Sequence, residues 1–287
     1  MPLLRLGQSA TQSNICRYGR SKLSFRGPAR DLRGEYIACL GGSETFGQTV
    51  EKPFPELLEG LTAKKCVNLG WPNAGIDVFR KDPALSQIAS GAVLTILQVP
   101  GAVNLTTRFY SVHPRRNDRV TGIYEPLFDL YPDVDFTQFS FTRHLLAHLR
   151  AVSQERFLQI QAELAAVWTQ GMKQILSRIA GPVILLWFSD RAPGENGDDP
   201  GVLSDPSLVS AEMLGAISGH VASVVACPRG VDMTSRSPIQ ELADIFVSRR
   251  ELKLRRALPD ADMHEWAAQA LLPDVLRLWK GPIKKAR

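Results

Sequence analysis

The residues best placed to do chemistry stand in "GGSETFG", Gly41 to Gly47, directly behind the apolar run "EYIACL" at 35–40. A hydroxyl at the end of a buried strand can serve as a nucleophile. An amide-rich turn beside it can cradle an anion or an oxyanion. The same residues also suit a plain strand-to-helix turn in which Ser43 or Thr45 caps the helix. The stretch is not a phosphate-binding loop, because no Gly-Lys-Ser/Thr follows at the required spacing. It is not Gly-x-Ser-x-Gly either, because Thr45 stands two residues beyond Ser43.

A second constellation is "YSVHPRRNDR", in which His113, Arg115, Arg116 and Arg119 make a compact cationic cluster. Arginine forks suit carboxylate, sulfate or phosphate, so these four are candidate substrate-binding residues. An internally paired loop, with Asp118 as one partner, is the structural alternative. His144 and His148 lie four apart on an expected helix. No third ligand accompanies them, so no metal site is assigned.

These residues need elements to position them. "EYIACL" (35–40), "CVNLG" (66–70), "AVLTILQV" (92–99), "PVILLWF" (182–188) and "VASVVAC" (221–227) read as buried strands. Between them lie helices. One starts at "PFPELLEGL", one spans 82–90 with Asp82 as N-cap and Pro83 behind it, and a final one begins near "DMHEW". The clearest carries Phe157, Ile160, Leu164, Trp168, Met172, Ile175 and Ile179 at spacings of three and four, one apolar face. The alternation implies an α/β fold with about five parallel strands and helices on both faces. Ligands of such sheets bind beyond the carboxyl ends of the strands. Ser43, Asn73, Asn104 and the loop 189–199 all follow strand ends and so share one rim. Residues 1–33 read as an irregular basic arm, and 34–287 as a single domain with an insertion at about 105–150.

"GGSETFGQTVEKPFPELLEG…VNLGWPNAG" resembles the opening blocks of the SGNH (GDSL-type) hydrolases. "VPGAVN", with Gly101 and Asn104, resembles their third block, and "DADMHEW", with His264, their last. The resemblance covers roughly 35–105 and 258–280. It implies a three-layer flavodoxin-like fold and a serine hydrolase, with Ser43 as nucleophile and His264 as its base. It further implies oxyanion donors at the Ser43 N–H, at the N–H of Asn73 or Gly75, and at the Asn104 side chain. Asp260 or Asp262 would orient the histidine. Gly42 stands where the family usually has Asp. Asp260 lies four residues before His264 and Asp262 two, against a family spacing of three. Asp262, with Glu265 three residues on, also reads as a helix N-cap with a capping-box partner. Residues 18–150 resemble, in addition, a set of proteins with "FRGP", "GG-[ST]-E-T", "NAG" and "YSVHPRRNDR" segments, a likeness that brings no activity with it.

The bulk composition bounds the partners. With 44% apolar and 22% charged residues, the 287-residue chain is of ordinary globular type. No run reaches the roughly 18 apolar residues of a membrane span. No secretory signal is evident, so the cytoplasm is the default expectation. The net charge of +5 is modest, and neither of its two basic regions, the first 33 residues and the C-terminal third, interleaves aromatics as a single-strand platform would, so nucleic acid is not the expected partner. Cys16, Cys39, Cys66 and Cys227 are scattered without a zinc spacing, and no cofactor is expected. The leading expectation is an esterase or deacetylase acting on an O-acyl ester of a small molecule or glycan, with an acidic glycan among the candidates. The alternatives are a group transferase with a phosphate- or sulfate-bearing donor, and a non-catalytic protein binding an acidic ligand.

Overall fold

The computed structural model of the chain describes residues 15–189, 191–194, 201–203, 205–228 and 258–279. A short hairpin, β1 (Ile15–Cys16) and β2 (Phe25–Arg26), opens it. Next come β3 (Ile37–Gly41), α1 (Ser43–Phe46), α2 (Phe54–Thr62), β4 (Cys66–Gly70), α3 (Ile76–Lys81), α4 (Pro83–Gly91) and β5 (Leu94–Gln98). The insertion holds an antiparallel hairpin, β6 (Tyr110–Val112) and β7 (Val120–Ile123), then α5 (Glu125–Leu130) and α6 (Thr142–Val152). After it come α7 (Gln154–Leu176), β8 (Val183–Ser189), α8 (Ala211–Gly215), β9 (Ser223–Pro228) and a last helix, here α9 (Ala261–Leu278).

The five expected strands form one parallel sheet in the order β4-β3-β5-β8-β9. Counted along the chain that is 2-1-3-4-5, the flavodoxin-like order, whose switch point lies between β3 and β5. Successive side chains of a strand point to opposite faces, and the core divides accordingly. Ile37, Cys39, Leu94, Ile96, Ile184, Leu186 and Phe188 pack on the face covered by α2 and α9. Ala38, Leu40, Val67, Leu69, Leu97, Leu185 and Trp187 pack on the other, with α3, α4, α7 and the insertion. The architecture is thus α/β in three layers, as the alternation of elements implies.

The expected face of the long helix is the buried one: Phe157, Ile160, Leu164, Trp168, Met172 and Ile175 all face the core, while Ile179 lies past the helix end. Asp82 caps α4 as expected, accepting from the Ala84 and Leu85 amides. Two expectations change. The cap of α9 is Asp260, whose Oδ1 accepts from the Met263 N–H at 3.0 Å; Asp262 sits inside the first turn. The described part of the N-terminal stretch is packed into the body: Phe25 is wholly buried, with Tyr18 and Leu23 beside it in the larger core. Basic composition concealed this, because the buried residues occur singly among Arg, Gly and Ser. The loop 189–199 lies in part outside the described residues. Among the described residues no helix is long and apolar enough to cross a membrane, and no three His, Cys, Asp or Glu side chains are grouped to hold a metal ion.

Candidate functional site

Ser43 is the first residue of α1, two residues past the end of β3 and beside the switch point. The turn is built on Gln98, the last residue of β5. Gln98 Oε1 accepts from the Gly42 N–H (3.0 Å), the Thr45 N–H (3.2 Å) and the Thr45 hydroxyl. The amide orientation is therefore fixed, and Nε2 donates to Glu44 Oε2 at 2.7 Å. Of the paired glycines, Gly41 is fixed by close contact with buried Thr45, while Gly42 meets only the movable end of a side chain. A Cβ on Gly41 would lie 1.9 Å from Thr45 Oγ1, and one on Gly42 would lie 2.9 Å from Glu44 Oε2. Two amides of the turn, those of Gly42 and Thr45, are spent on the buried Gln98, which holds the turn together.

The Ser43 Oγ accepts from the Asn73 N–H at 3.1 Å. Asn73 adopts a left-handed backbone (φ 57), which asparagine tolerates better than most residues. Asn104 turns its Oδ1 to the Thr142 hydroxyl at 2.6 Å. Ser43, Asn73 and Asn104 line one small cleft of about 60 Å³, together with Glu44, Gln98, Arg143, Phe188 and Asp205. These three residues, each placed after a strand end, share one rim of the sheet.

Gly75 has a different task. Its N–H donates to Asn117 Oδ1 at 2.9 Å, and an added Cβ would fall 1.9 Å from the Asn104 carbonyl oxygen. It is a close-approach residue between two loops, and its amide is not available to an oxyanion.

His264 is 1% exposed, on the α2/α9 face of the sheet. Its ring stacks on Phe54 and meets Phe188 edge-on, with centroids 6.3 and 5.0 Å away. Its Nδ1 accepts the Phe54 N–H at 3.0 Å. A neutral imidazole held this way carries its proton on Nε2, the reverse of the tautomer a catalytic triad requires. Burial lowers the imidazole to about 4, the nearby Arg26 charge adds to this, and Asp260 opposes it. No hydrogen bond joins His264 to Ser43, and His264 does not line the cleft. The expected orienting carboxylates are elsewhere engaged. Asp260 caps α9, and Asp262 lines a separate surface hollow between α2 and α9. His264 in this structure is a core residue that satisfies a helix N-terminus.

The cationic cluster does not line the cleft. His113 Nδ1 accepts from the Arg115 and Arg116 amides (3.3 and 3.1 Å), Arg115 and Arg116 are exposed, and Arg119 stacks over Phe141 at 5.1 Å. The turn supports the site through its backbone and through Asn117. Trp71 donates to the Arg115 carbonyl at 2.6 Å, and wholly buried Asn117 ties the His113 carbonyl to the Gly75 amide. The shared pocket that a phosphate- or sulfate-donor transferase requires is therefore not formed by these arginines and the glycine turn. His144 and His148 both pack on Phe139, with centroids 4.8 and 4.9 Å away.

Four cleft residues went unassigned from sequence. Gln98 hid inside an apolar strand. Arg143 and Asp205, joined by a hydrogen-bonded ion pair, come from segments with no motif. Glu44 lay beside Ser43 within the quoted turn. Burial and the neighbouring Asp205 raise the Glu44 carboxyl above the ordinary carboxylate range, against Gln98 and Arg143, which favour its ionised form.

Comparison of the sequence with curated proteins finds no match. Among solved structures, the chain is similar to the crystal structure of the lipase Lip_vut3 from a goat rumen metagenome. The identity is 11% and the TM-score 0.40, over 88% of this chain and 100% of that one. A family model matches residues 1–279, and the chain belongs to that family, DUF6473, a domain of unknown function.

Proposed function

We propose that this chain is a serine ester hydrolase on an SGNH-like scaffold, acting on an O-acyl ester. The observation that carries the reading is the Ser43 Oγ set 3.1 Å from the Asn73 N–H in a cleft shared with Asn104, at the sheet's switch point. Ser43 is the nucleophile. Asn73, through its N–H, and Asn104, through Nδ2, are the oxyanion donors, each of a kind typically worth about 3 kcal/mol of the barrier. The small cleft suits a short acyl group such as acetyl. With Glu44 and Asp205 in its wall, a neutral alcohol or glycan fits better than an acidic one.

The test is hydrolysis of p-nitrophenyl acetate. Wild type is expected to turn over, and Ser43→Ala to lose activity by on the order of 10³-fold or more. Equal rates in the two proteins would reject the reading. A second reading, a cleft that binds an O-acyl ligand without cleaving it, is favoured by the commitment of His264 Nδ1 to Phe54. Under that reading both proteins bind acetylated sugars alike in calorimetry and neither hydrolyses them.

A further inference from the structure

A serine nucleophile needs a group to take its proton, and His264 is not arranged to do so. The titratable side chains lining the cleft are Glu44, Asp205 and Arg143. A guanidinium donates hydrogen bonds and has no acceptor site, so it cannot take the serine's proton. Asp205 Oδ1 is already occupied, receiving both the Arg143 guanidinium and, at 3.0 Å, the Ser207 hydroxyl. Glu44 differs. Its Oε2 is fixed by a neutral donor, Gln98 Nε2, at 2.7 Å. The same oxygen lies 2.9 Å from where a Cβ on Gly42 would stand, and Glu44 shares the cleft with Ser43. We propose that Glu44 is the proton acceptor for Ser43. The proposal rests on the hydrolase reading above.

The step balances with water as the co-reactant. As the Ser43 Oγ bonds to the ester carbonyl carbon, its proton passes to the Glu44 carboxylate, across the cleft or through one water. The adduct breaks its bond to the alcohol, which leaves with that proton. Water then attacks the acyl-serine and gives a proton to Glu44. Ser43 departs with it, and the carboxylic acid is released. The groups facing Glu44 are Gln98 from β5, Arg143 from α6, and Asp205 from the segment after β8. Burial and the Asp205 charge move the Glu44 titration toward neutrality, where a general base is most effective.

The experiment is the rate of Ser43 modification by a fluorophosphonate probe as a function of pH, with the modified residue identified by mass spectrometry. Wild type is expected to label at Ser43 with one acidic midpoint above that of an ordinary glutamate. Glu44→Gln is expected to label ~100-fold or more slowly. Asp205→Asn, which removes the neighbouring negative charge, should move the midpoint to lower pH. Glu44→Asp should retain part of the rate with a displaced midpoint, and it decides the matter if Glu44→Gln proves unfolded by circular dichroism. A Glu44→Gln protein that labels at the wild-type rate, or more slowly but with the wild-type midpoint, overturns the proposal and leaves the hydrolase reading standing. Absence of labelling at Ser43 in wild type overturns both.

Discussion

At the scale of single residues, the sharpest expectation concerns His264. Its imidazole is depressed from 6.5 to about 4 in the folded chain. The unfolded chain therefore takes up this proton first as the pH falls. Stability from this group is full above about 6.5 and declines from there to about 4, by on the order of 3 kcal/mol. His264→Asn keeps an acceptor for the Phe54 N–H and cannot titrate. Its urea midpoint is expected to fall less than that of wild type between pH 7.5 and pH 4.5. His264→Ala strands the Phe54 amide and opens a cavity, so a loss of about 3–5 kcal/mol at neutral pH is expected. Equal pH slopes in wild type and His264→Asn would show that another group dominates acid unfolding. From sequence, a histidine ahead of the last helix is readable only as a position. Which ring nitrogen is engaged depends on α2 and α9 meeting across some 210 residues of chain, and no local pattern encodes that.

At the scale of elements, the insertion is a brace and not a free flap. Asn117 holds Gly75, Thr142 holds Asn104, the Arg115 carbonyl holds Trp71, and Arg143 forms part of the cleft wall. Asn117→Ala leaves the Gly75 amide and the His113 carbonyl unpaired in the interior, each at a cost of about 1–3 kcal/mol. It is expected to lower thermal stability and to reduce turnover of p-nitrophenyl acetate while Ser43 remains present. A wild-type melting curve for Asn117→Ala would contradict the brace. The five sheet strands and the face of α7 were legible because a buried strand or an amphipathic helix writes its environment into a few adjacent residues. The brace was not, because each link joins one side chain to a backbone group tens of residues away. The arginines drew notice as charge. The working members of that segment are an asparagine, a threonine and two carbonyls.

At the scale of the whole molecule, the two-sided core extends to residues that composition assigned to an arm. Arg26 is buried, and its guanidinium donates to the carbonyls of Gly47, Val50 and Glu51, fastening the loop behind α1. Phe25 fills the adjoining core. A chain begun at residue 34 is therefore expected to lose cooperative unfolding in urea, since three carbonyls and a large apolar surface lose their partners together. A sharp transition near that of the full chain would return residues 1–33 to the status of an appendage.

The brace also bears on transplanting the site. Another protein with the same strand order could accept the Gly41–Gly47 turn only together with Gln98, the residue of the neighbouring strand on which that turn is built. The donors facing Ser43 would not follow, because Asn73 and Asn104 take their positions from residues 110–143. A graft that omits this segment would carry the serine without its setting, so the smallest portable unit is the turn, Gln98 and the insertion moved together.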